Sequence, residues 1–270
     1  PGRPRHRHPA PGDEPGAVKE LYDFAEACGL ETLVIGKGKN NKVDLSCTPD
    51  TVYEEAIMRG MAPHMLSSFK DGTKTMVELT CMSNATGFLP DVRGTHGAKV
   101  DTRNITDILR LKSEGGILNG YRVVEYTDGL APGVFIIVTS DLEQVHAEIQ
   151  YLKVGDGPNY LLYRPYHLCS IETPITVARA YLYHEASMLQ LRDTPYSETV
   201  TIAKKDLSPG EIIDGIGGKL GGGQVGFGEM LGGKVFGGIF ICVYVREGAT
   251  VKLKVGEIFQ PLEESRLARD

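Results

Sequence analysis

No stretch of roughly 18 apolar residues occurs in this 270-residue chain, and its N-terminus lacks the apolar core of a secretory signal. A membrane partner is therefore not expected, and a cytoplasmic protein is. Basic residues are also in short supply: 29 Lys and Arg stand against 35 Asp and Glu, for a net charge of -6. Without a broad basic face, an electrostatic grip on nucleic acid is disfavoured, and any anionic ligand must be held by a few placed cations. The 5 cysteines (Cys28, Cys47, Cys81, Cys169 and Cys242) form no C-x-x-C pair, and no His stands at zinc-ligand spacing from them, so they read as buried thiols in a reducing compartment. Several catalytic signatures are missing as well. There is no Walker loop, no G-x-G-x-x-G opening a helix after a strand, no nucleophile elbow and no zincin helix. Nucleotide binding by the usual glycine-rich loops is thus unsupported.

What is present alternates helical and strand texture, with 41% hydrophobic residues, enough for one large domain or two smaller ones. Residues 1–12 carry Pro, Arg, His, Gly and Ala without periodicity and are expected to be disordered; a tag or linker is the commoner explanation, a basic arm the other. Asp13-Glu14-Pro15 then opens an amphipathic helix running to Gly29. A short buried strand, Glu31 to Ile35, is expected to end at a polar loop, Gly36-Lys37-Gly38-Lys39-Asn40-Asn41. Further helices are expected over about 48–61, 71–84, 104–113 and 171–191, with strands at 122–126 and 134–140. Near Tyr196 the texture turns β-rich, with a strand at 198–203, a turn at 206–211 and short strands at 239–246 and 250–255. The glycine-rich stretch from Gly215 to Gly238 is expected to be flexible or tightly turning. The fold class is accordingly α/β (α+β) for residues 13–195, followed by a small β-rich module over 196–270 that becomes atypical after 218.

Four clusters could carry chemistry. Lys37, Lys39, Asn40 and Asn41 put two ammonium groups and two carboxamides on a loop of little bulk, suited to an oxyanion or phosphate, although a solvated surface turn fits equally well. Glu78, flanked by apolar residues, could have the desolvated carboxylate of an acid-base catalyst, but a salt-bridged surface glutamate is commoner. Asn84 near the end of the same helix could merely cap it. In Asp91-Val92-Arg93-Gly94-Thr95-His96-Gly97, Arg93 could grip a phosphate beside a proton-shuttling His96, or Asp91 and Arg93 could simply pair. Arg164 and His167 interrupt an apolar run before a helix, where a satisfied core histidine is the blander and better-supported reading.

The strings GDEPGAVKELYDFAEACGLE, GKGKNN, DGTKTMVEL, NATGFLPDVRGTHG and GDGPNYLLYRPYHLCSIETPITVARA resemble the catalytic domain of deoxyxylulose-phosphate reductoisomerase-like oxidoreductases, also described as homoserine-dehydrogenase-like. The resemblance runs from about Gly12 to Leu191, and residues 200–218 are similar to the start of a SAF-like β domain. It implies NAD(P)H-dependent reduction of a small phosphorylated or polyhydroxylated carbonyl compound, NADPH as cofactor and a divalent metal (Mg or Mn). The group's characterised reaction converts 1-deoxy-D-xylulose 5-phosphate to 2-C-methyl-D-erythritol 4-phosphate in isoprenoid biosynthesis. Carried onto this chain, Lys37, Lys39 and Asn40 would bind the phosphate or polarise the carbonyl, with Glu78, Asn84, Arg93 and His96 around the same pocket. No nucleotide-binding domain precedes Gly12, so this chain alone is not expected to bind NADPH. A homo-oligomer is compatible with the reading. The competing expectation is a non-catalytic sugar-phosphate or carbohydrate-binding protein.

Overall fold

A computed structural model describes residues 12–206 and 214–226. The expected turn at 206–211 and the strands at 239–246 and 250–255 fall largely or wholly outside the described residues, as does nearly all of the N-terminal tract. Helices and strands are mixed, as an α/β fold requires, and divide into two compact units. The first comprises residues 12–42 and 78–197; the second comprises residues 43–77 together with 198–206 and 214–226. No helix among the described residues is long and apolar enough to cross a membrane.

The first unit is organised by β1 (Glu31–Lys39) and a long, bent strand, β3 (Val123–Thr139). A strand has two hydrogen-bonding edges, and β1 uses both against β3. Val34 stands opposite Ile137 on one arm of β3 and opposite Val123 on the other; Lys37 stands opposite Val134 and Tyr126. β3 reverses through Leu130 to Gly133, with Leu130 at φ 60, so its two arms flank β1. β2 (Leu89–Pro90) extends the sheet beside Val123, and β4 (Tyr160–Arg164) pairs with the arm from Val134 to Val138. β1 thus lies at the centre of the sheet, which is why all its residues from Thr32 to Lys39 are buried. One core packs Leu33, Val34, Val123, Phe135 and Ile137 against Val100, Ile105, Leu109 and Leu118.

This arrangement corrects the expected lysine loop. Gly36 to Lys39 continue the strand, because strand pairing on both edges outweighs the loop signal of two glycines. Side chains alternate across a strand, so the glycines share one face and the lysines the other. A Cβ at Gly36 would fall on the Glu125 backbone and 2.7 Å from the Phe135 ring, and one at Gly38 would meet the Ala131 nitrogen at 2.5 Å. The glycines serve close packing rather than flexibility.

α1 (Glu14–Ala27) begins as expected, with Asp13 at the N-cap and Pro15 in the first turn. α4 (Thr73–Thr86) runs past Asn84, and the helix expected over 104–113 shortens to α5 (Ile105–Ile108), since Leu111 bridges Leu118 and draws the chain away. α6 (Glu143–Tyr151) precedes β4. The helix expected to Leu191 is α7 (Thr173–Leu182), which stops just before His184 at φ 56.

In the second unit, α2 (Tyr53–Met58) and α3 (Pro63–Lys70) pack Val52, Ala56 and Leu66 around Cys47. β5 (Glu198–Ala203) appears at the expected place. Its partner, β6 (Gly221–Gly226), corrects the reading of the glycine-rich stretch in this part: Gly223 donates its N–H to Thr73 Oγ1 at 2.9 Å, and a Cβ there would lie 3.0 Å from Thr199, so small residues suit a strand packed this tightly. The Lys204 ammonium is buried in this unit against Asp71 at 2.7 Å and the carbonyls of Cys47 and Gly218 at 2.7 and 2.8 Å.

Gly36→Ala should destabilise the protein by roughly 3 kcal/mol through overpacking. Gly120→Ala, where nothing lies within 4 Å of the added methyl, should change stability by less than about 0.5 kcal/mol. Urea unfolding of both variants measures the difference.

Candidate functional site

A carboxylate-rich cluster forms where the start of α1, the centre of β1, the middle of α4 and the segment after β4 converge within the first unit. Its centre is Lys37, only 6% exposed. The ammonium group binds Glu14 Oε1 at 2.5 Å and also binds Glu78 Oε2. Both carboxylates are buried as well. Glu14 stands in the first turn of α1, where unpaired backbone N–H groups favour negative charge. His167 Nε2 lies 3.4 Å from the same Glu14 oxygen, and His167 Nδ1 lies 3.1 Å from the Gly12 carbonyl and 3.3 Å from Cys169 Sγ. Asp13 completes the cluster: its carboxylate, Glu14 and Glu78 each place an oxygen within 4.8 Å of the others, and Asp13, His167 and Cys169 form a second such group.

Formal charge makes the cluster acidic, with Asp13, Glu14 and Glu78 against one ammonium. The field is felt at Cys81, whose thiol is pushed up to about 11, first by burial and then by the negative charges of Glu78 and Asp13.

A separate polar arrangement lies where the Asp91 to Gly97 loop meets β3. Glu125, fully buried within an apolar strand, accepts the backbone N–H groups of His96 at 3.0 Å, Gly97 at 3.1 Å and Tyr126 at 2.9 Å. Gly97 has φ 61, and any side chain there would run into the Tyr126 ring. His96 Nε2 meets Asp91 Oδ2 at 2.7 Å, and Asp91 also accepts the Asn119 backbone N–H at 3.1 Å. Burial holds the Glu125 carboxyl above its usual range, against the opposing pull of the His96 and Gly97 N–H groups.

Of the residues singled out in the sequence, Lys37, Glu78 and His167 are thus brought together. Lys39 is buried on the same face of β1 and donates to Asn41 Oδ1 at 2.9 Å, while Asn40 is exposed. Asn84 sits inside α4, accepting the Tyr196 N–H at 2.6 Å and donating to the Ser197 carbonyl at 3.0 Å, so it holds the 196–197 segment instead of capping the helix. Arg93 is exposed, and Asp91 pairs with His96 and Asn119. Arg164 is clamped by Glu172 and by Glu20 at 3.2 Å. The contacts of Lys37 lead to Glu14 and Glu78, those of His96 to Asp91 and Glu125. Sequence reasoning passed over Glu14, Asp13, Cys169 and Glu125. The first two read as an ordinary helix start. Glu125 did carry a signal, a carboxylate inside the apolar run Val123-Val124-Glu125-Tyr126.

Residues 12–173, which supply every member of both clusters, match the family model described as Oxidoreductase DRL, catalytic domain. The chain belongs to this family. Its oxidoreductase catalytic domain thus contains the first unit's whole sheet and the Lys37 cluster. A comparison with curated proteins finds no match.

Two outcomes test the geometry. Lys37→Met leaves two buried carboxylates facing one another and should cost about 3–5 kcal/mol in urea unfolding; adding Glu78→Gln should recover part of that loss. For Glu125, a carboxyl with a raised value keeps its proton in the folded state after the unfolded chain has released it. Stability conferred this way is present below the ordinary carboxylate value and is lost as pH rises through the raised one. Glu125→Gln should therefore flatten the fall of the urea midpoint across that window.

Proposed function

We propose that this oxidoreductase domain is the substrate site of an NAD(P)H-dependent enzyme that reduces a small phosphorylated or polyhydroxylated carbonyl compound, of the deoxyxylulose-phosphate reductoisomerase-like kind. The observation that carries the proposal is the buried Lys37 ammonium held between Glu14 and Glu78. Reduction of a carbonyl places negative charge on oxygen, and a desolvated, fixed ammonium answers that charge more strongly than a solvated one. Lys37 can also give the oxygen a proton, which Glu14 or His167 can help return.

β1 is followed by bends at Asn40 and Asn41 instead of a glycine turn and helix N-terminus. The described residues therefore do not fit the pyrophosphate of a dinucleotide, and the hydride source lies outside them in this proposal. A divalent cation fits better. Asp13, Glu14 and Glu78 offer three hard oxygen donors of the type that Mg or Mn prefers. When bound, such an ion supplies Lewis-acid polarisation of the substrate oxygen. Glu14 and Glu78 would then be shared between the ion and Lys37, and His167 would orient Glu14.

The test is calorimetric titration of the chain with 1-deoxy-D-xylulose 5-phosphate, followed by NADPH oxidation assays with the same compound on the chain fused to a nucleotide-binding domain. Lys37→Arg keeps the charge but removes a group able to release a proton. It should cut turnover about 100-fold while the protein stays folded by circular dichroism. Unchanged turnover would remove Lys37 from the chemistry. Ligand binding with no NADPH oxidation even when a nucleotide-binding domain is supplied would favour a non-catalytic sugar-phosphate-binding protein.

A further inference from the structure

The second donor group of the cluster differs in kind from the first. Asp13, His167 and Cys169 bring one carboxylate oxygen, one imidazole nitrogen and one thiol sulfur to within 4.8 Å of one another. None of the three is a partner in the Lys37 ion pairs, which go to Glu14 and Glu78. Cys169 Sγ and His167 Nδ1 are 3.3 Å apart. With metal–sulfur and metal–nitrogen bonds of about 2.3 and 2.0 Å, tetrahedral ligation puts such a pair roughly 3.5 Å apart, so the two side chains need little movement to share one ion. Asp13 occupies the N-cap of α1, yet its carboxylate makes no capping hydrogen bond and instead lies with the His167 and Cys169 side chains. The backbone fixes this approach: Cys169 donates its N–H to the Gly12 carbonyl at 2.7 Å, tying the 3-10 turn of Cys169–Glu172 to the residue that precedes Asp13. Arg164, bonded to Glu172 and Glu20, anchors the same turn to α1 from the other side.

We propose that Asp13, His167 and Cys169 form a three-ligand site for a borderline-soft divalent ion, Zn in the first instance, with a fourth position open. Mixed oxygen, nitrogen and sulfur donors select such ions over Mg, and three protein ligands with a vacancy are the pattern of a site that binds an exchangeable water or ligand. Binding replaces the thiol proton of Cys169 with a metal–sulfur bond, that proton passing to solvent, and His167 gives up its Nδ1 hydrogen bond to the Gly12 carbonyl, its ring proton moving to Nε2, which faces Glu14. The unbalanced carboxylate charge of the cluster favours the cation in addition. Searching the sequence for zinc spacing misses the site because one ligand precedes α1 and the other two follow β4. The inference shares Asp13 and His167 with the reductase reading but does not rest on it, since its test reads coordination and not turnover.

The test is titration of the chain with Co(II), whose spectrum reports its ligands. A thiolate-to-cobalt charge-transfer band in the near ultraviolet, with the intense visible bands of tetrahedral coordination, is expected, and both should disappear on adding Zn. Cys169→Ser should abolish the charge-transfer band, whereas Cys28→Ser at an exposed thiol elsewhere should leave it intact. His167→Gln and Asp13→Asn should each weaken cobalt binding at least 10-fold. Cys169 is exposed, so its serine variant should keep the circular dichroism of the parent. A band that survives Cys169→Ser, or a weak octahedral spectrum without sulfur, would overturn the proposal. The octahedral result would leave the oxygen-only site of Asp13, Glu14 and Glu78 untouched.

Discussion

Burying an ammonium group in the central strand of a sheet costs several kcal/mol of lost hydration, even after relaxation. Lys37 cannot move away, because β1 is paired on both edges and its side-chain direction is fixed by strand alternation. The surrounding elements must therefore deliver opposite charge. α1 presents Glu14 from its first turn and α4 presents Glu78 from its middle, and both stand against Lys37. The placement of these helices on the sheet is bound up with satisfying that one cation. A group held this way is also well suited to chemistry, since its partners are already oriented when a substrate arrives.

The same economy governs the other buried carboxylate. Among the described residues, Glu125 is paired with no lysine or arginine; it takes backbone N–H groups instead, and so pins the Asp91 to Gly97 loop to β3. These two solutions have different uses. An ion pair between side chains can be re-partnered by a ligand or metal, whereas a carboxylate buried under backbone donors holds a loop in one shape. Arg164 with Glu20 and Glu172, and Lys204 with Asp71 in the second unit, likewise consume their charge in holding segments together.

Glycine carries opposite meanings along this chain. At Gly36 and Gly38 it allows the strand to approach neighbouring backbone where a Cβ would not fit, and at Gly223 a Cβ would press to 3.0 Å from Thr199. At Gly97 it supplies a positive φ that lets a turn settle against Tyr126. Composition registers all of these as turn signals, since it counts glycines without knowing what lies opposite them.

The local sequence by itself determined α1 from its Asp-Glu-Pro start, β5 from its alternating β-branched run, and both arms of β3 from their apolar density, because these signals act over a few residues. It also marked Lys37, Glu78 and His167 as chemically interesting, though by residue type and not by neighbourhood. Only the tertiary structure decided that Lys37 belongs to a strand, that its partners are Glu14 and Glu78, and that Asp13 meets His167 and Cys169. The reason is physical: such contacts join residues far apart in the chain, and they are set by which elements the sheet brings side by side, a property that no local periodicity contains.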